Sequence, residues 1–148
     1  MRSQENEERF RTLIEEGFGR GNVGVVDDLV VTDCVEHQRG LKPGAAGVKE
    51  TIRTLRSWFG DFDLKVEDLV SVDDMVWARN IASGTNTGSV MGMPPTNKRM
   101  RITVFDVARF EHGRMVEHWG VPDQLGMLLQ LGLAVRPQQT AAGAADRP

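Results

Sequence analysis

At Gly60 the spacing of the apolar residues changes from about four to two, and that change decides what kind of fold the chain can form. Before it, Phe10, Leu13, Ile14, Gly17 and Phe18 fall on one face of a helix, and GRGN, from Gly19 to Asn22, stops it. VGVVDDLV, from Val23, gives a second short helix. Cys34 to Gln38 reads as a short extended piece and RGLKPGAAG as a loop. Val48, Ile52, Leu55 and Phe59 then recur at helical spacing. After Gly60, Leu64 and Val66 open a first strand and Asp73-Asp74 make a turn. Further strands span 76–87, 99–110 and 114–121, with GSVMGMPPTNK as a long connection and 123–132 as a terminal helix. Helices followed by hairpin-joined strands are an α+β pattern. A curved, mainly antiparallel sheet packed with the N-terminal helices would form a cone-shaped barrel around an apolar pocket, the default ligand site in such a fold.

The totals agree with a single domain. The chain has 148 residues, long enough for a core without disulfides. Residues 1–133 carry the pattern, whereas 134–148, ending RPQQTAAGAADRP, have nothing to bury and read as a disordered tail. The single cysteine, Cys34, excludes an internal disulfide and a cysteine-based zinc site, and reads as a small buried filler. A net charge of -3 gives no reason to expect nucleic acid. MRSQENEERF is charged where a signal peptide needs an apolar run, and no long apolar stretch follows, so a cytoplasmic protein without membrane contact is expected. Neither a metal-site spacing nor a phosphate-binding glycine loop is present, and no cofactor is expected.

The last hairpin carries the chemistry. A three-residue turn with Gly113 in the left-handed region pairs Phe110 with Arg114, Ala108 with Val116, Asp106 with His118 and Val104 with Gly120. A two-residue turn would set Asp106 opposite Trp119 instead. The first register gathers Val104, Ala108, Val116 and Gly120 on the inner face. It leaves Phe105, Val107, Met115 and Trp119 outside with Arg109 and Glu117, an apolar outer face that a second subunit would cover. Asp106 and His118 then form a carboxylate–imidazole pair inside an apolar pocket, either a satisfied polar pair that fixes register or an acid–base site. His37 with Gln38 either caps a loop or lines the pocket mouth, and the pair stands among the substrate-binding candidates. His112 is a solvated turn residue, and Trp58 serves packing while also standing among the substrate-binding candidates.

The run GTNTGSVMGMPPTNKRMRITVFDVARFEHGRMVEHWGVPDQLGMLLQLG, with CVEHQ and LKVEDLVSVDDMVWAR upstream, is similar to the SnoaL-like polyketide cyclases of the nuclear transport factor 2-like superfamily. The resemblance covers about residues 7 to 132 and rests on G-T-x-T-G, M-G-x-P-P-T and E-H-W-G in order. It implies the same cone, commonly a homodimer through the outer sheet face. It also implies an intramolecular aldol ring closure without metal or cofactor, in which a pocket carboxylate takes a proton from an activated carbon. In those cyclases the carboxylate directly follows the His-Trp pair, where this chain has Gly120. Asn86 in GTNTG and Asn80 after Ala78-Arg79 are further departures.

Three functions follow from this reading. The first is a cofactor-independent acid–base enzyme that cyclises or isomerises a hydrophobic, polyketide-like carbonyl compound. Asp106 is its base, His118 the partner or acid, and Gln38, Asn80 and Asn86 are neutral donors for an oxyanion. Asp123 is a second candidate for the missing carboxylate, or else the cap of the last helix. The second function is an epoxide hydrolase using Asp106, a further acid and Arg79. The third is a non-catalytic small-molecule binding protein.

Overall fold

The computed structural model describes residues 2–138; the tail expected at 134–148 falls mostly outside the described residues. Helix α1 (Arg2–Thr12) continues through a wider π-helical stretch, Leu13–Gly19. A 3-10 turn, Val23–Val25, leads into the short α2 (Val26–Leu29), then β1 (Val30–Glu36) and α3 (Gly44–Trp58). Strands β2 (Asp63–Val72), β3 (Met75–Thr85), β4 (Arg99–Glu111) and β5 (Arg114–Pro122) follow, and α4 (Gln124–Gln130) comes last.

Apolar periodicity explains which faces are buried. Phe10, Leu13 and Ile14 turn one face of the first helix inward, Val48 and Ile52 do so on α3, and all meet Val76, Ala78, Ala82, Ile102 and Ala108 from the sheet. The sheet order is β1-β5-β4-β3-β2, with antiparallel pairs except for β1, which runs parallel to β5. The expected extended piece at Cys34 to Gln38 is therefore a full strand that starts earlier and ends at Glu36. It is a fifth strand of the sheet, and β1 and β2 form its two unjoined edges, so the cone is an open curved sheet and not a closed barrel.

The register of the last hairpin differs from the expectation. His112 and Gly113 both have positive φ, 50° and 75°, which makes a two-residue turn of the primed type whose twist matches the strands. Glu111 pairs with Arg114 and Phe110 with Met115. A bulge then leaves Val116 unmatched, so that Arg109 pairs with Glu117, Ala108 with His118 and Asp106 with Gly120. The bulge restores the inward direction of Asp106 and His118 that a two-residue turn alone would have lost. The two-residue turn, by pairing Met115 with the inward-facing Phe110, also puts Met115 in the core, where it is 2% exposed, rather than outward.

Asn86 is not a pocket residue. It lies at the end of β3, fully buried, and ties the long β3–β4 connection to the end of α3. Its amide nitrogen donates to the carbonyls of Trp58 and Gly88, and its Oδ1 accepts from the backbone and hydroxyl of Thr96. Asn86→Ala leaves these buried partners unsatisfied and should lower unfolding stability by about 3 kcal/mol, read as a lower urea midpoint, with ligand affinity in the native state unchanged.

Candidate active site

The parallel pairing of β1 with β5 sets Glu36 beside His118, and the β4–β5 ladder brings Asp106 within reach from the other side. His118 donates from Nδ1 to both oxygens of Glu36, at 2.8 and 2.9 Å, and from Nε2 to Oδ1 of Asp106 at 2.8 Å. All three side chains are nearly buried, at 11%, 6% and 7% exposure. Behind them, Asn80 on β3 donates to Oδ2 of Asp106 at 2.6 Å, while its own carbonyl oxygen is buried with no partner. An amide that gives its donor to a carboxylate and leaves its acceptor unmatched is favoured where the carboxylate is charged.

Burial by itself would lower the His118 pKa, but the hydrogen bonds it donates to Asp106 and then to Glu36 outweigh it, and the imidazole is pushed up to about 9. At neutral pH the centre is therefore an imidazolium between two carboxylates. Glu36 was absent from the candidates drawn from the sequence. The signal available was its position on an extended piece ahead of His37, but only the parallel pairing of that piece with β5 turns it onto His118.

These groups lie in the wall of an apolar cavity of about 230 Å³, which Glu36, Gln38, Asp106 and His118 line together with Phe10, Ile14, Trp58, Ile102 and Met127. Trp58, read from the sequence as a packing residue that also stands among the substrate-binding candidates, is one of the lining residues. Gln38 lies across Gly120: a Cβ at Gly120 would collide with Oε1 of Gln38 and stand 2.9 Å from Oδ1 of Asp106. The place left by the glycine is thus taken by a carboxamide, and Gly120, directly opposite Asp106, is the residue that lets it in.

Besides Asn86, four candidates lie outside the cavity wall. His37 is outside, stacked on Trp119 with ring centroids 4.7 Å apart and 3.0 Å from a carboxylate oxygen of Glu117, because consecutive residues at a strand end face opposite sides. Asn80 supports Asp106 from behind and does not line the cavity. Asp123 is exposed and caps α4 by accepting from the backbone of Gly126 at 2.9 Å. Arg79 is on the outer face, bound to Asp68 at 2.7 Å, so the cation between two carboxylates is His118 and not an arginine. Among the described residues no group of three or more His, Cys, Asp and Glu side chains is arranged to hold a metal ion. No helix of the described residues is long and apolar enough to cross a membrane.

Comparison with known proteins places this arrangement. The profile of the SnoaL-like polyketide cyclases matches residues 8–131. The chain belongs to that family. It is 24% identical over 120 residues to the nogalonic acid methyl ester cyclase of Streptomyces nogalater, an alignment covering 78% of this chain and 89% of that protein. Among solved structures it is similar to IdmH of Streptomyces antibioticus, described as a candidate polyketide cyclase, with 31% identity and a TM-score of 0.76 over 86% of this chain and 98% of that one. It is similar too to TsrD of Streptomyces laurentii, with 27% identity and a TM-score of 0.77 over 88% and 95%. Family membership supports a cyclase or isomerase kind of function.

The raised His118 pKa has a consequence for stability. A histidine held as a cation contributes fully below its unfolded pKa near 6.5, and the contribution is lost as pH rises through about 9. The urea midpoint should therefore be higher at pH 6 than at pH 10. In His118→Gln, the part of that decline falling between these two pKa values should disappear.

Proposed function

We propose that the cavity binds a hydrophobic carbonyl compound of polyketide type and converts it, without a cofactor, by intramolecular proton transfer and ring closure or isomerisation. The observation that carries this reading is Asp106, a buried carboxylate in the wall of an apolar cavity, hydrogen-bonded to His118 and Asn80. Asp106 takes a proton from the carbon next to a carbonyl, and the electron pair moves into an enolate. The enolate carbon attacks a second carbonyl of the same molecule. The new alkoxide then takes a proton back from Asp106, so that product and substrate are isomers. Gln38, whose side chain has no hydrogen-bond partner among the described residues, supplies the neutral amide donor for the enolate oxygen. Gln38 takes that role in place of Asn80 and Asn86, whose amides are spent on the protein. A second subunit on the outer face, where Trp77, Phe105 and Val121 are more than half exposed, is part of the same proposal.

Mass spectrometry of products from a panel of polycyclic β-ketoesters, phenolic ketones and epoxides tests the reading. Wild type should yield an isomer that Asp106→Asn forms at least about 100-fold more slowly, with affinity retained. A diol containing solvent oxygen would instead identify epoxide hydrolysis. Binding without conversion in both proteins would identify a binding module. Within the same assay, Gly120→Ala should evict the Gln38 amide and, like Gln38→Ala, lower kcat by about 100-fold, because the enolate oxygen then lacks its donor.

A further inference from the structure

Asp106 needs a partner that stays charged while the reaction runs, and the geometry shows what keeps it so. The contacts of His118 are a carboxylate on each ring nitrogen. Asp106 comes from β4 and Glu36 from β1. Among the described residues no other charged side chain is hydrogen-bonded to the ring: Glu117, next to it on β5, faces outward onto Arg109 and His37. Cys34, two residues before Glu36, is a buried thiol pushed up to about 12, chiefly by burial and then by Glu36, and so is neutral. Arg39 lines the same cavity from the loop after β1, while the helices that cover it contribute apolar residues such as Phe10, Leu13 and Val48. Glu36 is itself held in place, because Oε1 accepts from the backbone N–H of Gln38 at 2.8 Å.

We infer that Glu36 is the positioning residue of the site, acting through His118: it grips Nδ1 with both oxygens, keeps the ring an imidazolium and turns Nε2–H onto Asp106. This rests on the reading of Asp106 as the base. Without Glu36 the ring would have one carboxylate partner. A proton arriving on Asp106 would then draw the ring toward its neutral form, and Asp106 would have no fixed cation beside it when it must ionise again. Glu36 also sets the backbone ahead of Gln38, so one carboxylate orders both the cation and the amide that face the reacting carbon.

The test combines NMR titration of the His118 ring, which needs no substrate, with pH profiles of turnover on whichever β-ketoester gives the Asp106-dependent isomer. Glu36→Gln should bring the His118 titration down toward 6.5. It should lower kcat by about tenfold or more, as removal of a carboxylate behind a catalytic imidazole does, with KM within about twofold, and move the alkaline limb of the kcat profile down with the imidazole. Glu36→Asp, which keeps the charge and serves if the glutamine variant does not fold, should restore most of the titration and of kcat. In a His118→Gln background, Glu36→Gln, which keeps an amide oxygen to accept from the Gln38 N–H, should cost nothing further in kcat. The inference is overturned by an unmoved His118 titration, by a kcat that ignores the titration, by a change in KM alone, or by a separate loss in the His118→Gln background. Conversion that persists in Asp106→Asn would instead sink the reading of the base, and the NMR titration would still decide what Glu36 does to His118.

Discussion

One imidazolium between two buried carboxylates is the contact around which this sheet is arranged. Charges inside an apolar wall are costly unless each has a hydrogen-bonded partner of opposite sign. Glu36, His118 and Asp106 come from β1, β5 and β4, so the partners meet only when the three strands are adjacent and in register. The parallel placement of β1 at the edge beside β5 follows from the same requirement. A shift of two residues along β5 would leave a carboxylate unpaired in the apolar wall. The polar centre therefore acts as a register lock for one half of the sheet, while the apolar packing of α1 on β2 and β3 fixes the other half.

Much of the fold was legible in the sequence because it depends on local periods. The helical face from Phe10 onward, the α3 stripe of Val48 and Ile52, the Asp73-Asp74 turn and the four hairpin strands all rest on spacing within a dozen residues. The family was legible from motifs in order. What local pattern could not supply was pairing at a distance. Glu36 and His118 are 82 residues apart, and nothing in CVEHQ says that its strand lies parallel to β5. The hairpin register failed for another reason. The two-residue turn and the bulge at Val116 each shift the pairing by one, and together they keep Asp106 and His118 on one face, so the right pair emerged from a wrong ladder.

The amide candidates divide by what their side chains already do. Asn86 and Asn80 have the composition expected of oxyanion donors, yet both are committed, one to holding a loop and the other to holding Asp106. Gln38 has no such commitment and lies against the glycine opposite the carboxylate. In the sequence the three were indistinguishable, because alternation gives the face of a residue but not the occupancy of its hydrogen bonds.

The contact between Gly120 and Gln38 bears on how such a site can change over time. A carboxylate at position 120 and the glycine this chain has there are not separated by one independent step. A side chain arriving at 120 meets the amide already in place, and shortening residue 38 removes that contact while those with Asp106 and His118 remain. Positions 38 and 120 are thereby coupled: what a change at one does depends on which residue stands at the other, so neither effect can be read alone.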